Sequence, residues 1–165
     1  MKKNHIVVYA LGIAMVFAVT ACISIPTPYQ GYINIGDSIV LLFASVLSPV
    51  GAFIVGGVGS ALADLFLGYT HYALFSLIIK GTEGLIVSIL FKKLKDKLKV
   101  SSYFIGIIIM IIGYMFAKTI LYSSFALGLS SIPENLIQGL ASCLIAIIAI
   151  KPFRKIANKN PKLID

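Results

Sequence analysis

Long apolar runs alternate with short polar interruptions along this chain, and the run lengths decide most of the architecture. The first run, Ile6 to about Ile25, follows Lys2–Lys3 and stops at Pro26 and Pro28. At about 20 residues it is long enough to cross a ~30 Å hydrocarbon core as a helix. A polar, glycine-rich stretch, Gly31 to Asp37 (GYINIGD), separates it from a second run, Ser38 to Leu47, which ends at Ser48-Pro49. The third run, Val50 to Leu67, is crowded with small residues, among them Gly51, Gly56, Gly57, Gly59 and Ala63. Further helices are predicted over about His71–Phe91, Tyr103–Leu127 and Pro133–Ile150, with Pro133 suited to a first helical turn.

Composition turns these runs into membrane segments. Of 165 residues, 59% are hydrophobic and 12% charged, and the mean hydropathy is +0.99. That leaves too few charges to solvate the surface of a soluble domain. The formal charge of +8 would suit nucleic acid, but its distribution argues for lipid. All the basic residues except Lys80 and Lys118 lie in Lys2–Lys3, Lys92 to Lys99 or Lys151 to Lys162, each abutting an apolar run. These are cytoplasmic flanks in a lipid bilayer, with anionic headgroups as partners and no nucleic acid.

Charge also decides whether Ser38–Leu67 is one helix kinked at Pro49 or two. With two, all three basic clusters fall on one side; with one, the Lys92–Lys99 loop moves outside. The expectation is an all-α integral membrane protein, a single domain of six transmembrane helices with both termini cytoplasmic. Its outer loops, about 26–37, 68–71 and 128–132, contain no Lys or Arg. Val19-Thr20-Ala21-Cys22 also has the look of a lipoprotein cleavage site, but the polytopic chain beyond it favours a retained first helix.

Metal and cofactor chemistry finds no footing. Cys22 and Cys143 sit inside apolar runs without a CxxC, His5 and His71 are far apart, and no GxxxxGK[ST] occurs. Neither an enzyme nor a cofactor is expected, and any nucleotide hydrolysis must come from a partner.

Ionisable groups inside a membrane are costly and each needs a reason. On helix four, Tyr72, Ser76, Lys80 and Glu83 share one face; on helix five, Tyr114, Lys118 and Tyr122; on helix six, Glu134, Asn135, Gln138 and Ser142. With ~1.5 Å of rise per residue, Lys80 lies roughly 13 Å, and Lys118 roughly 14–16 Å, below the outer ends of their helices. The stripes converge beneath the Gly31–Asp37 loop, and tyrosines mixed with acid, amide and amine groups suit a planar polar heteroaromatic ligand. The plainer alternative pairs Lys80 with Glu83, and Lys118 with Asp64 or Glu134, as structural ion pairs. Asp64 reads as a brace for the loop. On the first helix, Ala10, Ala14 and Ala18 form a shallow ladder that another helix can approach closely.

With these residues in hand, the chain resembles the substrate-binding S component of an energy-coupling factor (ECF) transporter for vitamins. PTPYQGYINIGDSIVLL (26–42), LSPVGAFIVGGVGSALADLFLGY (47–69) and LIIKGTEGL (77–85) carry the resemblance. It implies a six-helix fold and a pocket under the loop between helices one and two. The pocket residues it implicates are Asn34, Glu83, Lys118, Tyr122, Glu134 and Asn135, with Gly31, Gly36 and Asp37 in the covering loop. It implies docking of Ala10, Ala14 and Ala18 on a transmembrane T component, and coupling to two ATP-binding subunits. The NIGD pattern (34–37) is most similar to members that take up hydroxymethylpyrimidine- or pyridoxine-like rings. The absence of Trp departs from thiamine-type members, and no metal-binding N-terminus of the cobalt or nickel kind is present. The implied mechanism is capture at the outer face followed by reorientation of the whole subunit. A self-sufficient proton-coupled transporter, using Asp64 or Glu83, is the alternative.

Overall fold

The computed structural model describes residues 3–28 and 31–159; Lys2 and Lys162 of the terminal basic clusters lie outside them. Six α-helices account for most of the chain: α1 (Lys3–Cys22), α2 (Asp37–Ala44), α3 (Pro49–Leu67), α4 (Ala73–Lys93), α5 (Ser101–Tyr122) and α6 (Phe125–Asn158). Between α1 and α2 the chain forms an antiparallel hairpin, β1 (Ser24–Thr27) and β2 (Gly31–Asn34), with Pro26 opposite Tyr32. A single 3-10 turn, Asp96–Leu98, links α4 to α5.

Five of the helices are long and apolar enough to cross a membrane; α2 is not. Its eight residues span only about 12 Å, so the expectation of six full spans is corrected to five plus a short internal helix. Every residue of α2 except Ile39 is buried. Gly36, just before it, touches Thr20 of α1, and Ser48, just after it, meets the Tyr9 hydroxyl at 3.3 Å. Thus α2 covers only the stretch between Tyr9 and Thr20, and the hairpin completes the depth. The separation of Ser38–Leu67 into two helices holds. Ser48 caps α3 by accepting from the Gly51 amide at 3.2 Å, Pro49 occupies its first turn, and Gly68 ends it at φ 86°.

α3 packs on α4, α5 on α6, and α1 on α3. The glycines of α3 set the first of these distances. A Cβ on Gly56 would lie 2.6 Å from the Lys80 carbonyl, and one on Gly57 2.5 Å from that of Leu77. α1 buries Gly12, Val16 and Thr20, one residue per turn, against the bundle. Ala10, Ala14 and Ala18, offset by two residues and so on the opposite face, are exposed.

The outer loop expected at 128–132 is helical. α5 stops at Tyr122, the connection is Ser123-Ser124, and α6 runs through Pro133 without a break. Ser124 caps α6, and Ser123 adopts a left-handed φ of 49° to make the turn. Gly128, read as a loop residue, serves packing: a Cβ there would lie 2.7 Å from the Met115 carbonyl of α5. At 34 residues, α6 is about 51 Å long and outruns a ~30 Å hydrocarbon core. Its last turns carry Lys151, Arg154 and Lys155 clear of the apolar span.

Candidate functional site

The loop stretch Asn34–Asp37 is tied down by two side chains from distant helices. Asn34 donates from its backbone N–H (3.0 Å) and its side-chain amide (3.1 Å) to Oε1 of Gln138 on α6. Gln138 in turn donates from Nε2 to Asp37 Oδ2 at 2.8 Å, and the Asn34 Oδ1 accepts from the Gly36 amide at 2.9 Å. Asp37 heads α2, where a negative charge is favoured by the helix dipole. It also forms a close ion pair with Lys80 of α4, whose ammonium reaches Glu83 Oε2 at 3.3 Å. All five side chains are buried. Charges in such surroundings persist only when paired and hydrogen-bonded, so this network fixes the loop in one register.

The hairpin is held from the other side by α3. Tyr32 donates its hydroxyl to Asp64 Oδ1 at 2.6 Å and stacks at a tilt on Tyr69, ring centroids 4.8 Å apart. Asp64 is buried, and its Oδ2 has no hydrogen-bond partner among the described residues. The expectation that Asp64 braces the loop therefore matches its geometry. Gly36 is required by space rather than by backbone conformation: its φ is −59°, and a Cβ would overlap the Thr20 hydroxyl.

Beneath the hairpin lies a small, partly open cavity. Gly31, Tyr32 and Asn34 of β2 form its roof, and Asp64 lies on one wall. Tyr72, Ser76 and Tyr114 contribute from α4 and α5, the Ser76 and Tyr114 hydroxyls being 2.8 Å apart. The far wall carries Lys118 and Glu134, an ion pair at 3.7 Å, with Ser131, Asn135 and Gln138. Asn135 spends its amide on the Ser131 carbonyl at 2.9 Å. The cavity thus offers phenol faces, a carboxylate acceptor and an ammonium–carboxylate pair within one small volume, the composition of a site for a planar, polar ligand.

Most of the residues expected from sequence come together here: Asn34, Tyr72, Tyr114, Lys118, Glu134, Asn135 and Gln138 line the cavity with Gly31. Lys80, Glu83 and Tyr122 do not line it. Lys80 stands behind Tyr114, its ammonium 5.3 Å from the ring centroid, and with Glu83 it supports the loop through Asp37. The Tyr122 hydroxyl instead lies 3.2 Å from His71 Nε2. Sequence reasoning passed over Tyr32 and Ser131. Tyr32 and Asn34 both reach the cavity because strand residues two apart share a face, a signal legible once Gly31–Asn34 is read as a strand. Ser131 was hidden by the reading of 128–132 as a loop.

A family model described as "ECF-type riboflavin transporter, S component" matches residues 1–155, nearly the whole chain. The chain belongs to the S-component family of energy-coupling factor transporters. The thiamine precursor transporter HmpT of Lactococcus lactis subsp. cremoris (strain MG1363) is 23% identical over 143 residues, covering 83% of this chain and 80% of that one. A Pyrococcus woesei protein described as an uncharacterized protein in gap 3'region is 42% identical over 105 residues, 62% of this chain and 70% of that one. This S component is accordingly a multi-pass membrane protein of a vitamin-transporter family, and its family is one of transport subunits rather than of enzymes.

Proposed function

We propose that this S component captures a small heteroaromatic vitamin or precursor (hydroxymethylpyrimidine, pyridoxine or a thiamine relative) in the cavity beneath the hairpin. It then hands the ligand inward as the binding subunit of an ATP-driven importer, together with a transmembrane T component and two ATP-binding subunits. The observation that carries this reading is the cavity itself. Its roof is pinned to α6 by Gln138 and to α4 by Asp37–Lys80, and its walls combine Tyr72 and Tyr114 with Asp64, Lys118 and Glu134.

On this reading the tyrosines sandwich the ring, Asp64 accepts from a ring or exocyclic N–H, and the Lys118–Glu134 pair addresses a hydroxyl or hydroxymethyl group. Lys80 and Glu83 position the roof without touching the ligand. The polar contents sit inside while leucines, isoleucines and phenylalanines such as Leu62, Phe66, Leu74 and Ile108 face outward, as lipid immersion requires. The basic clusters set the orientation: cytoplasmic termini, the hairpin on the outer face, and one six-helix domain in the inner membrane of a prokaryote. Exposed Ala10, Ala14 and Ala18 form the face that meets the T component.

Native mass spectrometry of the protein purified in mild detergent, against a panel of hydroxymethylpyrimidine, pyridoxine, thiamine and riboflavin, tests this. One retained heteroaromatic ligand, and uptake only when the T component and ATPases are present, is the expected result. Uptake by the isolated chain driven by a proton gradient would overturn it in favour of a secondary transporter.

A further inference from the structure

A second hollow opens at the end of the bundle away from the hairpin, where α4 stops and α6 runs on. Five cations line it: Lys99, then Lys151, Arg154 and Lys155 of α6, and Lys159 just past its end. Asp96, the carboxylate among its lining residues, is engaged by Lys99 Nζ at 2.7 Å. Lys151, Arg154, Lys155 and Lys159 therefore share the hollow with no carboxylate in ion-pair distance among the described residues. Phe91, Val100 and Ile150 give it an apolar wall. The Arg154 guanidinium lies over the Phe91 ring, 5.4 Å from its centroid, and Lys99 Nζ approaches the same ring at 5.8 Å. Arg154 Nε is buried and has no hydrogen-bond acceptor among the described residues. On the flanks of α6, Ile148 and Ile156 are exposed, so the apolar wall continues into the surface that faces lipid.

Two demands coincide here. Clustered cations without carboxylate partners call for a multivalent oxygen anion, and guanidinium is the group that matches phosphate best. The wall beside them calls for hydrocarbon. A soluble anion or an acidic protein segment meets only the first demand; an anionic phospholipid meets both. We infer that this hollow is a discrete binding site for one anionic phospholipid, its phosphate held by Arg154 and Lys155 and its chain laid along the partly exposed Val100 and Ile150. The site is separate from the ligand cavity and does not depend on the proposed transport function. It fastens the basic end of the bundle to an anionic leaflet.

The test is native mass spectrometry of the delipidated full chain titrated with phosphatidylglycerol or phosphatidylcholine. One phosphatidylglycerol per chain should bind in preference to phosphatidylcholine. Arg154→Gln with Lys155→Gln should weaken it on the order of tenfold or more, as loss of two headgroup-contacting charges implies. Lys95→Gln with Lys97→Gln removes the same charge outside the hollow and should leave binding unchanged. Should the first pair fail to fold, the exposed Lys151→Gln with Lys159→Gln gives the same comparison. Equal loss in both pairs would reduce the effect to diffuse attraction and overturn the site. Displacement by inorganic phosphate as effective as by lipid would show that only the anion is read, which also overturns it. Unchanged lipid binding with lost assembly of partner subunits would hand the surface to an acidic protein.

Discussion

Gln138 Nε2 donates to Asp37 Oδ2 at 2.8 Å, joining the middle of α6 to the first turn of α2 across 101 residues of sequence. The same side chain accepts twice from Asn34, so one amide holds both ends of the NIGD stretch. Gln138→Leu removes three buried hydrogen bonds and leaves the Asn34 amide and one Asp37 oxygen unsatisfied. At about 1 kcal/mol per neutral bond and more for the charged one, the loss is roughly 3–5 kcal/mol. Thermal unfolding in detergent should show it, with ligand affinity falling alongside. Retained affinity in a destabilised variant would mean the roof does not need this anchor.

Lys80 is the cation that both Asp37 and Glu83 contact. Lys80→Met leaves two buried carboxylates facing each other and should cost about 3–5 kcal/mol. Adding Glu83→Gln to the same chain removes one of those charges and should restore part of the stability. Glu83→Gln alone keeps the Asp37–Lys80 pair, so its effect on ligand binding is indirect and smaller than that of a cavity residue. Additive losses in the double variant would show that the three groups do not act as one unit.

The sequence made the five long helices legible because each contains a predominantly apolar run of spanning length, although the start of α6 was not legible. The polar stripes on α4, α5 and α6 located most of the cavity, since a buried polar group in a membrane advertises itself. Three features were not legible. The hairpin hides behind Pro26, Pro28 and Gly31, residues that weaken a strand reading but are tolerated in a two-stranded ribbon with free edges. The length of α2 depends on its burial by other helices, which a hydropathy run of Ser38–Leu47 does not reveal. The continuity of α6 through Ser130, Ser131 and Pro133 is masked because these residue types favour loops; within the helix the serine hydroxyls bond back to the Leu127 and Gly128 carbonyls, each at 2.7 Å.

Gly57 tests the packing of α3 on α4. A methyl group there would meet the Leu77 carbonyl at 2.5 Å, a backbone atom that cannot swing aside. Gly57→Ala should therefore destabilise the bundle by about 1–3 kcal/mol despite the better helix propensity of alanine. The matching change at Gly68, where nothing lies within 4 Å, meets strain from its φ of 86° instead, at a cost of about 1 kcal/mol. A stabilised Gly57→Ala variant would refute the close approach of the two helices.

Ala14 lies on the outward face of α1, opposite the buried Val16 strip. Ala14→Leu adds bulk where this chain has nothing to clash with, so stability should change by no more than about 0.5 kcal/mol. Ligand binding should be spared. Uptake by the assembled importer should fall at least about tenfold, because close helix contact in lipid needs the shallow face. Full uptake would remove this face from the partner interface.

Asp64 and Tyr32 separate bracing from recognition. Tyr32→Phe breaks the 2.6 Å bond to Asp64 but leaves the carboxylate in the wall. Asp64→Asn keeps an oxygen for the Tyr32 hydroxyl, yet replaces one acceptor facing the cavity by a donor. If Asp64 accepts from a ligand N–H, Asp64→Asn should weaken binding about 10- to 100-fold, since a mispaired buried polar group costs about 1–3 kcal/mol. The unfolding midpoint should move little. Tyr32→Phe should instead speed ligand release through a looser roof while preserving preference among ligands. The two variants thus predict opposite signatures, altered selectivity against altered residence time, and calorimetry with dissociation kinetics reads both. Binding within about twofold of the parent in Asp64→Asn, with a lowered midpoint, would leave Asp64 a brace for the hairpin and nothing more.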